Sequence, residues 1–504
     1  MTRPGFVLKV DERTPDLLTL SGSRVQLQRF PTGTRVLYPP DAMPSSDPVP
    51  LIDASLATPV DAIPFPAQLR PGMKLTVVIG NVHPVQPRMR FDIRRSIVER
   101  VLEQAARAGV DDVALVIAAG LSPRWAAKDV VAALGDRVAA SFLPDGLIHS
   151  HDVTSPELLE IARVAGESVL VDPRIAESDL VVVVDVCHGR RGGCVLATGA
   201  TDIATINRIA GFTGSTAAVG EVSRAIKDAV NVFAISAVLG QPFLRQPLNF
   251  LNEREWEWRL PEQLAFAAAR QLVELLPIQG SHRLYAAPRA DYAVLDVVAG
   301  SPEAVVSQAS EVWQAANAVF VPSADTVITS VWGSSIDPGD PIGSPISAAH
   351  HALVDRVGNH GASPLVRDGG VVIAFHPLSR LFSNRLQSPS ADFFDKILPQ
   401  TRDGREIHER FESRALDEDW DLTLYRDHHA PHPLAVFHSW YAIQEVASRL
   451  SEVIWVGGSR ESAAVLGHRA ASTLADGLEL AGELGGAGSI TYLHGPGRAT
   501  GECQ

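Results

Sequence analysis

Residues 180–202, LVVVVDVCHGRRGGCVLATGATD, decide the fold and carry the first reading of function. The four valines Val181–Val184 read as a strand buried on both faces, which is the signature of a parallel sheet. The strand breaks into Cys187, His188, Gly189, Arg190, Arg191, Gly192, Gly193 and Cys194. In open α/β sheets, ligands sit off the carboxyl ends of the strands, where such a loop would lie. The glycines let backbone approach a ligand, the two arginines offer fixed positive charge to an anion, and His188 titrates near neutral pH. The plainer alternative is a solvated turn with two surface arginines.

The rest of the chain supports the same class. A length of 504 residues accommodates two or three domains, and 46% hydrophobic with 20% charged residues is globular. A net charge of −14 argues against nucleic-acid binding. No run of about 18 apolar residues predicts a membrane span. The first residues lack the apolar core of a signal peptide, and three cysteines do not make a disulfide framework, so a cytoplasmic location is expected.

Around the central stretch, Lys74–Gly80 and Val113–Ala118 read as further buried strands, each ending in a loop. Apolar spacing predicts a helix over Asp92–Ala108, stopped by Gly109, and others over Asp129–Leu134 and Pro156–Ala165. Residues 5–65 read as strand-like and proline-rich, an irregular cover that forms no core of its own. His149 and His151, two apart, would share one face of a strand and form an arm of a metal site. A short helix is expected over Asp202–Ala210, and an amphipathic one through Leu276. Pro277–Gly280 then marks a boundary, giving units 1–278 and 279–504.

The second unit repeats the grammar, with strands expected at Ala293–Ala299, Thr326–Val331, Val371–Phe375, Val453–Val456 and Ile490–Leu493. The loop Trp332–Ser347 and the helix carrying His350, His351, Asp355 and Arg356 are expected to face His188. Residues 378–432 read as a surface insertion or lid, with His428, His429 and His432 exposed.

The order of motifs resembles the lactate racemase family over nearly the whole chain. FPTGTRVLYPP, TVVIGNVHPVQP, LVIAAGLSPR and SDLVVVVDVCHGRRGG resemble its first-domain motifs. GSPISAAHHALVDRVGNHGASPLVRDGGVVIAF and SITYLHGPG resemble its second domain. The resemblance implies two α/β domains, each a mostly parallel sheet flanked by helices, with the site in the cleft between them. It also implies a racemase or epimerase of a small 2-hydroxy acid that binds a nickel pincer nucleotide.

Several family residues are replaced. The lysine tether that should follow Gly192-Gly193 is Cys194-Val195, and the nickel-binding histidine has no counterpart in Asp202–Thr213. One acid/base histidine falls at Ser122, and His188 matches the other. The substrate-clamping arginine falls at His83, the aspartate before it at Gly80, and the second-domain tyrosine and lysine near His351 and Asp355. The candidate set is therefore His188 and His83 for proton transfer, Arg190, Arg191 and His351 for a small anionic substrate, and Gly192, Gly193 and Cys194 for a cofactor. Three functions remain open: an isomerase with a rearranged site, a carboxylate- or nucleotide-binding homologue without turnover, and a metal enzyme using His83, His149, His151 and His188. The oligomeric state is left open by the sequence.

Overall fold

The structure is a computed structural model that describes residues 3–41, 47–81, 87–189, 195–277, 280, 288–332, 344–358, 364–383, 386–417, 419–486, 488–495 and 500–502. The N-terminal strands are β1 (Phe6–Lys9), β2 (Leu17–Gly22), β3 (Arg24–Gln28) and β4 (Arg35–Tyr38). Then come β5 (Lys74–Gly80), β6 (Asp112–Ala118), β7 (Ile148–Ser150), β8 (Leu159–Val164) and β9 (Glu167–Val171). They are followed by β10 (Leu180–Cys187), β11 (Val232–Leu244), β12 (Ala290–Gly300) and β13 (Ala318–Phe320). The last are β14 (Ala324–Trp332), β15 (Val366–Phe375), β16 (Glu452–Val456), β17 (Arg469–Ala471), β18 (Ile490–Leu493) and β19 (Thr500–Glu502).

The first sheet has the order β12-β11-β10-β5-β6-β7. Every pair in it is parallel except β11 with β12, and Val183 sits between Val78 and Ala234. Val182 and Val184 enter one core, Val181 and Val183 the core on the opposite face, so the all-valine run is buried on both sides. The helix Ile93–Arg107 starts at Asp92, whose carboxylate accepts from the Arg94 amide, and it covers one face through Ile97, Val98 and Val101.

The second sheet runs β1-β4-β18-β14-β15-β16-β17, parallel from β4 onward, with β2 also pairing along β14. Two cores cover its faces. The architecture is thus two parallel-dominated sheets between helices. Neither sheet stops at residue 278: β1 to β4 belong to the second, and β12 closes the edge of the first.

Two expectations are corrected here. Residues 5–65 contain strands, as their sequence suggests, but they are part of the core and not a cover over it: Leu17, Leu18, Val36 and Leu37 are buried strand residues. Part of Pro156–Ala165 is not a helix but the first arm of the β8–β9 hairpin, whose turn places Ala165 (φ 52°) and Gly166 (φ 85°) in the left-handed region.

Candidate functional site

β5, β6 and β10 are parallel neighbours and end side by side, so the loops that follow them leave the sheet on the same edge. Asp185 lies one step past the register with β5. Its carboxylate fits because residue 80 is glycine: a Cβ there would stand 2.5 Å from Oδ1 and 3.1 Å from Val195. Burial raises the Asp185 carboxyl to about 6, although Arg94 pulls the other way. Arg94 is itself buried, paired with Asp92 at 2.6 Å, and donates to the Gly80 carbonyl.

His188 follows at the end of β10, 9% exposed, with its ring edge-on to Tyr292 of β12 at 5.2 Å. The Tyr292 hydroxyl donates to the Pro87 carbonyl at 2.6 Å, which anchors the ring against the chain after β5. Cys187 is a packing residue: burial, then the Asp185 charge, pushes its thiol up to about 12. His83, Arg190, Arg191, Gly192, Gly193 and Cys194 lie outside the described residues.

The other described sequence candidates have these surroundings. His149 Nε2 meets Asp172 Oδ2 at 2.8 Å, and His151 Nδ1 lies 3.8 Å from the same oxygen. Burial alone would raise the Asp172 carboxyl, but the His149 hydrogen bond, with His151 close by, holds it well below the usual range. That pair therefore serves a carboxylate that caps the helix Pro173–Ala176. Among the described residues no three His, Cys, Asp or Glu side chains are arranged to hold a metal ion. His350 and His351 stand 3.7 and 3.4 Å from Asp355 on their own helix, whose Ile346, Ala348 and Ala349 are buried in the second core.

Residues 425–432 pack against the segment that follows β6. The His432 amide donates to the Leu121 carbonyl at 2.9 Å, His429 Nδ1 bonds the Arg124 carbonyl at 2.9 Å, and the Tyr425 hydroxyl reaches the Gly120 carbonyl at 3.4 Å. His432 is 1% exposed and not in an exposed loop; burial lowers it to about 3, so it stays neutral. His428 is exposed, as expected. Neither the burial of His432 nor the place of Tyr292 is legible in the local sequence, whereas an aspartate closing a run of valines is a legible signal for Asp185.

Residues 23–189 match the family model described as the lactate racemase N-terminal domain. Over that third of its length the chain is similar to the lactate racemase family. Its structure is similar to that of the lactate racemase apoprotein from Thermoanaerobacterium thermosaccharolyticum, with a TM-score of 0.60 and 13% identity, over 95% of this chain and 97% of that one. A Thermotoga maritima protein aligns at TM-score 0.45 and 12% identity, over 86% of this chain and 94% of that one. No curated protein matches the sequence.

The family's nickel pincer nucleotide can be tested against the donors present. The helix Ile203–Ala210 carries no histidine or lysine, and its polar side chains are engaged. Thr205 donates to Asp202 at 2.6 Å, and Arg208 donates to the Ser168 carbonyl at 3.0 Å. Asn207 Oδ1 accepts from His438 Nε2 of the second unit at 2.7 Å. Val195, which begins the preceding helix, has no group that could tether a nucleotide. These residues do not fit the group.

Proposed function

We propose that this lactate racemase-like chain binds a small 2-hydroxy carboxylate at the carboxyl edge of the first sheet, without a tethered pincer nucleotide. The ligand carboxylate would be met by Arg190 and Arg191, and its hydroxyl by the imidazole of His188. The observation carrying this reading is the pairing of a retained His188 with a helix, Ile203–Ala210, that offers no histidine or lysine and whose Thr205, Asn207 and Arg208 already bond within the protein. Moving hydride off the α-carbon needs an electrophile that side chains do not supply. No described helix is long and apolar enough to cross a membrane.

A second reading, an isomerase of the same acid, is favoured by one feature: Asp185 and His188 are two proton-exchanging groups at the end of one strand. Calorimetric titration with L- and D-lactate, followed by chiral analysis, separates the two. The binding reading expects saturable uptake, lost in the Arg190→Ala, Arg191→Ala double variant and only weakened in His188→Ala, with no interconversion of enantiomers. Racemisation that falls about 10²–10⁴-fold in His188→Ala would establish the isomerase instead. Absence of any saturable uptake would overturn both.

A further inference from the structure

A cavity of about 270 Å³ opens on the second unit between the end of the helix Ala435–Ala447, the start of β16 and the turn Leu466–His468. It lies at the amino end of β16 in the second sheet, and none of its lining residues belongs to the first. We propose that it is a second, separate binding site for a small oxyanion, a carboxylate or phosphate group held by Arg402 and His468.

Arg402 has no carboxylate partner among the described residues; its Nη1 donates only to the Ala464 carbonyl, at 3.0 Å. That leaves the rest of the guanidinium fork for an acceptor with two adjacent oxygens. The side chain lies flat over Gly467, where a Cβ would stand 3.0 Å from Nε. Gly467 also has a φ of 79°, so a side chain is excluded by conformation as well as by space.

His468 stands beside the arginine. Its Nδ1 accepts from the buried Trp455 Nε1 at 3.1 Å, which fixes the tautomer and leaves the proton on Nε2. Burial, then the positive charge of Arg402, lowers this imidazole to about 4. A guanidinium without a counter-charge and an imidazole N–H therefore share one wall. The carboxylate on that wall, Glu452, is already matched by Arg469 at 3.1 Å and by the Val453 amide at 2.9 Å. Trp440 donates to the Arg402 carbonyl at 3.1 Å and holds the backbone in place.

The test is calorimetric titration of the full chain with sulfate, inorganic phosphate and acetate, in the Arg190→Ala, Arg191→Ala background so that the first site does not contribute. Saturable binding is expected for at least one probe, weakened about tenfold or more by Arg402→Gln. Preference for phosphate and sulfate over acetate would identify a phosphate-type ligand, and the reverse a carboxylate. Arg402→Lys retains the charge and the carbonyl bond but not the fork, and should lose affinity by less than Arg402→Gln. Binding that is unchanged in both variants, or no saturable binding of any probe, would overturn the proposal.

Discussion

Glu255→Ala is expected to destabilise the chain by about 3–5 kcal/mol, the usual cost of removing one partner from a buried charged network. Glu255 lies between β11 and the helix Leu260–Leu275, yet its side chain is buried at the carboxyl ends of the second sheet. Oε1 accepts from the Leu18 amide and from His494 Nε2, both at 2.6 Å, and Oε2 accepts from the Tyr38 hydroxyl at 2.9 Å. Tyr38 stacks on His494 at 4.1 Å, so the three donors form one block. Alanine would strand all of them away from water, whereas Glu255→Gln keeps an acceptor and should cost clearly less. Burial opposes ionisation of Glu255, but His494 and the Leu18 amide outweigh it and hold the carboxyl below its ordinary range. A lowered carboxyl contributes stability above its unfolded value and loses it as pH falls. Urea unfolding followed by tryptophan fluorescence measures the effect. A loss below about 1 kcal/mol for Glu255→Ala would contradict it.

Asp185→Asn is expected to act in the opposite direction. The Asp185 carboxyl is raised from 3.8 to about 6 by burial, so the folded chain binds this proton more tightly than the unfolded chain. The resulting stability is fully present below about 4 and is lost as pH rises through about 6. A shift of about two units corresponds to about 3 kcal/mol lost by pH 7. The amide mimics the protonated acid, so Asp185→Asn should match wild type near pH 4 and exceed it at pH 7 by up to that amount. Urea midpoints for both proteins across pH 4–7 check this; curves that stay parallel would refute it. Ionisation that costs stability at the carboxyl end of a sheet strand, beside His188, is the pattern expected of a group kept for function.

Legibility followed the range of the interactions. β5 is read to the residue, and β6 and β10 to within one, because a β-branched run buried on both faces is a local pattern. The helix Ile93–Arg107 declares itself by its cap, Asp92, and its apolar spacing. The N-terminal strands were not legible as core, since Leu37 pairs with Leu493 near the other end of the chain. Nor was the β8–β9 hairpin, whose turn begins with Ala165 where glycine or asparagine is the usual signal. The stretch HHAPH ending at His432 looks solvated, and His432 is buried by contacts with Leu121 and Tyr425 that are distant or irregular in sequence. At the site, Asp185 and His188 stand in the central stretch itself, while Tyr292 reaches His188 from β12, beyond the expected boundary.

The direct test of the central claim is intact-mass spectrometry with nickel analysis on chain produced alongside enzymes that make the pincer nucleotide. The donor set of residues 195–213 predicts the mass of the unmodified polypeptide and no stoichiometric nickel. An added nucleotide mass with about one nickel per chain would contradict it.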